Sequence, residues 1–432
     1  SLKDVLKHNP ALEQVLRRYE GNSLKTEAAE FLLMNLPYYY SYSEKDMEAY
    51  LKVHEYYGVG KWYSVQQAQD SAMRQYGTYN AITTDKISDL TISPEFLIEN
   101  IDWAFKVREE QPWSKNVSWE DFCEYVLPYR IKDECLKPWR EKLYNKYNPM
   151  LDDIRDLPEA EDPLFVSRVL IDSISREESR FSSLLGYGPH IGPDVVDWVS
   201  GNCRELTDRL IYIFRALGLP CGCDYMPLRG DGNVAHYWNF VLDKEGTTYC
   251  MYEKQAIKTM EDFFDCRAKI YRQTFSLNEE EQERIRCDLR KVYPNFRYPM
   301  YKDITRMYSD VFARTLTVPR EELISKVRKN EIVYLCCSSH MRWLPVAWAY
   351  PDRNSITFND VQGRVIMCLA VYRDGELIPV TEPFELNKET GNVHYYHAVD
   401  TLEDVKLLNK YHQFYESFPQ RMVGGTFEGS DY

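Results

Sequence analysis

Apolar residues in the first third of the chain recur at three- and four-residue intervals, as in Leu12, Val15 and Leu16 and again in Phe31, Leu32 and Leu33. That spacing keeps one face of a helix apolar, and strand-like alternation is scarce, so residues 1–160 read as a helical N-terminal domain. Helix starts are legible in the same stretch. Ser93-Pro94-Glu95-Phe96 sets a cap residue before a first-turn proline, and Ser118-Trp119-Glu120-Asp121-Phe122 resembles a capping box with Asp in place of Glu. Tyr125 to Arg130 ends one helix, and a second resumes through Trp139.

The rhythm changes over residues 161–302. A helix near Leu164 to Glu178 gives way to the Gly/Pro-rich loop from Gly186 to Pro193, and then to a helix opening at Cys203 that Gly218 and Pro220 stop. Along it, Leu206, Leu210, Ile213, Phe214 and Leu217 form one apolar stripe. Cys221 to Pro227 and Ala235 to Leu242 alternate as strands, with Asp243-Lys244-Glu245-Gly246 turning into a third, Thr247 to Glu253. The expected core is a helix packed on an antiparallel sheet. A charged helix capped by Ser276-Leu277-Asn278-Glu279 and running through Arg284 to Val292 leads out of it.

Residues 303–432 alternate in short runs: Val311 to Val318, Glu331 to Cys337, Trp343 to Ala349 and Ser355 to Phe358. Asp374-Gly375 between apolar runs signals a tight hairpin, and strands at this spacing predict a β-sandwich. The fold class is α+β in three domains, 1–160, 161–302 and 303–432. The ending, Arg421 to Phe427, reads as a cut before a further C-terminal domain.

Charge and composition remove several classes of function. With 53 basic against 67 acidic residues the net charge is −14, which argues against nucleic acid as the main partner. The longest apolar run, Val365 to Tyr372, is far short of the roughly 20 residues of a membrane span. Eleven cysteines, an odd number, do not suggest a disulfide framework. His394 and His397 would point to opposite faces of a strand, so no metal site is assigned, and no cofactor. Tyr38 to Tyr42 and the 34 tyrosines and 9 tryptophans of the chain supply flat faces with polar tips, suited to sugar or peptide surfaces as well as to ordinary cores.

The candidate chemistry centres on Cys203. Asn202 is a good N-cap and Glu205 completes a capping box, so Cys203 takes the first helical position, where the dipole and unpaired amides favour a thiolate. The same amides could receive an oxyanion, with Trp198 and Asn202 as further donor candidates. Glu205 and Asp208 oppose ionisation. His236 follows 33 residues later on a strand whose face also carries Trp238, Phe240 and Leu242. If Leu242 pairs with Thr247 across the turn, Glu253 lies opposite His236 and could orient its ring; a one-residue slip would put Lys254 there. Asp243 and Asn239 are weaker candidates for that role.

Gly201-Asn202-Cys203, the run Leu210 to Pro220 ending Arg-Ala-Leu-Gly-Leu-Pro, and His236-Tyr237-Trp238-Asn239 together resemble the transglutaminase-like superfamily. The resemblance covers about 60 residues. It implies a papain-like fold and a Cys-His-acid triad built on Cys203 and His236, with Glu253 standing where the family usually has Asp. The implied activity is that of a cysteine-nucleophile peptidase, amidase or acyltransferase working through a thioester on a peptide, protein or glycopeptide. An inactive scaffold that binds glycan or peptide is the alternative. The layout as a whole resembles secreted or lipid-anchored multidomain proteins of gut Bacteroidetes, which implies a periplasmic or cell-surface location.

Overall fold

A computed structural model describes residues 1–78, 85–177, 179–186, 188–229, 234–251, 268–308, 313–339, 342–363 and 365–397. Residues Ser1–Tyr395 form one compact unit. Residues 398–432, including the expected terminal segment from Arg421 to Phe427, and the segment 252–267, including Glu253, lie outside the described residues.

The N-terminal part is helical, as its periodicity predicts: α1 (Leu2–His8), α2 (Glu13–Arg18), α3 (Ser23–Asn35), α4 (Glu44–Gly58), α5 (Val65–Tyr76), α6 (Pro94–Glu110), α7 (Pro112–Lys115), α8 (Trp119–Tyr125) and α9 (Arg140–Tyr147). Both expected caps are formed: Ser93 accepts the Phe96 N–H at 3.3 Å and Ser118 accepts the Asp121 N–H at 3.0 Å. Two local expectations change. The aromatic run contributes a short strand, β1 (Tyr40–Tyr42), paired antiparallel with β2 (Lys86–Ser88). The helix after α8 starts at Arg140 and does not run through Trp139, because the carbonyls left open at the end of α8 are taken by the Arg140 guanidinium, at 2.6 Å for Val126 and 2.9 Å for Leu127.

The middle of the chain then runs α10 (Pro163–Ile174), β3 (Arg180–Phe181), α11 (Val195–Trp198), β4 (Ser200–Gly201), α12 (Cys203–Ala216), β5 (Cys221–Met226), β6 (His236–Leu242), β7 (Thr248–Met251), β8 (Tyr271–Gln273), α13 (Glu279–Arg284) and β9 (Tyr301–Asp303). Five strands form an antiparallel sheet in the order β7-β6-β5-β8-β9, and α12 lies on it. The Asn239 side-chain amide on β6 donates to the Thr207 carbonyl of α12 at 2.9 Å. On its other side α12 meets α9, where the Trp139 and Tyr212 rings pack edge to face at 5.1 Å. Enclosure from both sides buries Thr207, Asp208, Arg209 and Tyr212 together with Ile211, Ile213 and Phe214, so the single apolar stripe expected of this helix understates its burial. The charged helix expected to reach Val292 stops at Arg284, with Asn278 as its cap.

A buried ion pair locks the sheet. Asp224 on β5 receives two hydrogen bonds from Arg272 on β8, at 2.8 and 2.9 Å, and one from the Tyr308 hydroxyl at 2.7 Å. Tyr308 in turn accepts the Trp238 indole N–H of β6 at 2.8 Å. These bonds tie three neighbouring strands to one carboxylate.

The remaining strands are β10 (Arg314–Pro319), β11 (Val333–Ser339), β12 (Arg342–Ala349), β13 (Ser355–Val361), β14 (Ile366–Arg373), β15 (Glu376–Pro379), β16 (Phe384–Leu386) and β17 (Val393–Tyr395). β10 pairs with β13, the others form a second antiparallel sheet, and Leu316, Phe358, Leu335 and Leu369 from both sheets share one apolar cluster. Asp374 and Gly375 both have positive φ, 53° and 91°, as the tight β14–β15 turn requires.

The result is a mixed α/β chain whose larger sheets are antiparallel. Apolar clusters run across the boundaries expected near 160 and 302: one joins Met47 and Trp113 to Phe214 and Met251, another joins Tyr271 and Val292 to Tyr334 and Cys368. Among the described residues, no helix is long and apolar enough to cross a membrane.

Candidate active site at the start of helix α12

Cys203 is the first residue of α12, and the capping box read from the sequence is formed. Asn202 Oδ1 accepts the Arg204 N–H at 2.9 Å, and Glu205 Oε2 accepts the Asn202 N–H at 3.0 Å. The approach to this turn is strained. Val199 sits in the left-handed region with φ 47°, which costs a β-branched residue about 1–3 kcal/mol. Gly201, with φ 146°, presses so closely on Glu205 that a Cβ there would lie 2.2 Å from the Glu205 Cβ. Ser200 holds the segment by donating from its hydroxyl to the His54 carbonyl of α4 at 2.8 Å.

Burial pushes the Cys203 thiol above the ordinary cysteine range, opposed by the Tyr237 backbone N–H and reinforced by the Glu205 carboxylate. The amides of Cys203 and Arg204 also face the sulfur and favour its ionised form. Desolvation wins. The helix start was expected to favour a thiolate against the opposing charges of Glu205 and Asp208; in this enclosed setting its amides only moderate a raised pKa, and Glu205 opposes ionisation as expected. A thiol of this kind needs a base to act.

His236 opens β6, next to the residue whose amide faces the sulfur. Leu242 donates to the Pro220 carbonyl on the β5 side, so the odd-numbered β6 residues turn their N–H groups to the other edge. Tyr237 and Asn239 face α12, whereas His236 shares the opposite face with Trp238, their rings 5.7 Å apart.

Pairing between β6 and β7 corrects the hairpin arithmetic. Leu242 pairs with Thr248, not Thr247, and Asn239 with Met251, so every pair is shifted by one residue. The turn holds one more residue than expected, because Asp243 Oδ1 gathers the N–H groups of Glu245 and Thr247 at 3.0 and 2.7 Å. Pairing no longer selects Glu253 as the residue opposite His236. Asn239, one of the weaker candidates, is committed to α12.

A second imidazole stands close by in a place that sequence reasoning passed over. His190 Nδ1 lies 2.7 Å from Asp208 Oδ2 on α12. Burial pushes the His190 ring down, but the Asp208 carboxylate outweighs it and holds the ring above the usual histidine range. The signal was present in the Gly/Pro-rich loop that carries His190, yet nothing in the sequence tied that loop to α12. The tie is made by both neighbours of Cys203. Asn202 Nδ2 donates to the Leu185 carbonyl at 2.7 Å, and Arg204 donates to the carbonyls of Gly188 and Pro189 at 2.8 and 3.3 Å while pairing with Glu205 at 2.6 Å. Asn202 thus spends its oxygen on Arg204 and one of its two amide hydrogens on Leu185. His54, fully buried behind the capping box, is held down to about 4 by burial and is neutral at pH 7.

Among the described residues, no group of three His, Cys, Asp or Glu side chains could hold a metal ion. No protein-family model matches the chain. No curated protein is significantly similar to it.

Proposed function

We propose that the chain is a cysteine-nucleophile amide hydrolase of the transglutaminase-like class, with a papain-like core from α12 to β7 and a β-sandwich beyond it. The observation that carries this reading is the Asn202–Glu205 capping box that sets Cys203 at the first turn of α12, on the sheet whose strand β6 begins at His236. In this reading the His236 ring, which rests beside Trp238 on the sheet face away from α12, turns toward the sulfur, takes the thiol proton as Cys203 attacks an amide carbonyl, and returns it to the departing amine as the C–N bond breaks. A thioester remains on Cys203. Water, deprotonated by His236, then attacks the thioester, and the C–S bond breaks to release a carboxylic acid and restore the thiol. Glu253 keeps a claim to orienting His236 through its position after the β6–β7 hairpin alone. The substrate is a peptide, protein or glycopeptide, at a periplasmic or cell-surface location.

A second reading, a scaffold that binds peptide or glycan without turnover, is favoured by one observation, the upward shift of the half-buried Cys203 thiol. Covalent capture separates the two. Incubation with a p-nitrophenyl ester followed by acid quench and peptide mapping should find a hydroxylamine-labile acyl group on Cys203, lost in Cys203→Ala and slowed at least tenfold in His236→Ala. An acyl group spread over several side chains, or none on Cys203, selects the scaffold.

A further inference from the structure

Resting on the assignment of Cys203 as nucleophile, we propose that residues 180–185 form a specificity wall that receives a bulky apolar side chain of a peptide substrate next to the amide under attack. Phe181 pairs with Gly201, two residues before Cys203, in the short parallel β3–β4 ladder, and Ser182 donates its N–H to the Gly201 carbonyl at 2.9 Å. The end of the segment is fixed to the other side of the same turn, where Asn202 holds the Leu185 carbonyl. Gly186 permits this approach: its φ is 86°, and a Cβ there would lie 2.1 Å from Asn202 Nδ2. The chain from 180 to 186 is thus strapped onto the backbone that precedes the thiol.

What it presents there is apolar and open. Phe181 is 54% exposed and Leu184 70%, both on a strap held by backbone hydrogen bonds. Arg180 donates to the carbonyls of Tyr57, Trp62 and Tyr63 at 2.6, 2.9 and 3.4 Å, which fastens the same strap to the loop between α4 and α5. The occupant is a peptide because the wall adjoins an acyl-transfer nucleophile and is built on Leu and Phe, aliphatic and aromatic surface that buries side chains rather than hydroxyl-rich rings. A net charge of −14 adds discrimination against acidic residues.

Peptidyl chloromethyl ketones that differ in one residue test the wall. The wild-type chain should be labelled at Cys203 about tenfold faster by Leu- and Phe-bearing probes than by an Asp-bearing one. Phe181→Ser combined with Leu184→Ser should reduce that ratio to about two, with iodoacetamide labelling of Cys203 unchanged. Two results overturn the wall alone: a wild-type chain without preference, or a preference that survives the double substitution, in either case with Cys203 readily labelled. A Cys203 that neither reagent labels faster than Cys287 overturns the nucleophile assignment and the wall together. A variant whose circular dichroism spectrum is altered is replaced by Leu184→Ser alone, which should cost about half of the preference on a logarithmic scale.

Discussion

The Asn239 side-chain amide donates to the Thr207 carbonyl at 2.9 Å, which ties the helix that Cys203 opens to the strand that His236 opens. That bond joins the element of the thiol to the element of the imidazole, with the His236 ring beside Trp238 on the sheet face away from α12. Because burial raises the Cys203 pKa, the proposed chemistry needs a base, and the proposal gives that part to His236.

Removing the base should therefore move the pH profile of the thiol. In His236→Ala, alkylation of Cys203 at pH 7 should fall at least tenfold and recover only as the pH rises past the ordinary thiol range. Iodoacetamide labelling followed by mass spectrometry at pH 6 to 10 reads this directly. An unchanged profile would remove His236 from the chemistry.

Glu205 has two effects of opposite sign. Its charge raises the Cys203 pKa, while its bonds to Asn202 and Arg204 hold the turn. Glu205→Gln should lower the apparent pKa of Cys203 and also destabilise the fold by about 1–3 kcal/mol, since the half-buried Arg204 loses its charge partner. Urea unfolding and alkylation kinetics on one preparation check both directions.

The His190–Asp208 pair makes stability depend on pH. Its folded imidazole pKa is raised above the unfolded value near 6.5, so the stabilisation is complete below about pH 6.5 and is lost as the pH rises through the folded value. Arg204 opposes this shift and Asp133 supports it. Asp208→Asn should cost about 2 kcal/mol at pH 6 and clearly less at pH 9, by urea titration at each pH. An equal loss at both would show that His190 is neutral throughout.

Asp224 anchors the sheet from below the site. Asp224→Ala strands the Arg272 guanidinium, of which little reaches solvent, and should cost about 3–5 kcal/mol in thermal or urea unfolding. A loss under 1 kcal/mol would mean that water reaches Arg272.

Much of this was legible in the sequence where the signals are local. The caps at Ser93, Ser118 and Asn202, the Asp374-Gly375 turn and the strands β5 and β6 follow from residues within a few positions of one another. What depends on distant partners was not. The β6–β7 register slipped by one residue because Asp243 drew an extra residue into the turn, and that single step removed the pairing argument for Glu253. The Cys203 pKa ran opposite to the dipole expectation, since burial of α12 on both sides comes from α9 and the sheet. His190 was invisible as a partner of Asp208 for the same reason.

Cys203 and Cys287 are both partly exposed, and the other described cysteines are buried, so the molecule carries its own control. The decisive measurement is the ratio of their iodoacetamide alkylation rates at pH 7 in the native chain. A Cys203 activated by His236 should react at least tenfold faster than Cys287, with the ratio collapsing toward one in His236→Ala. Equal rates in the native chain would contradict Cys203 as a nucleophile.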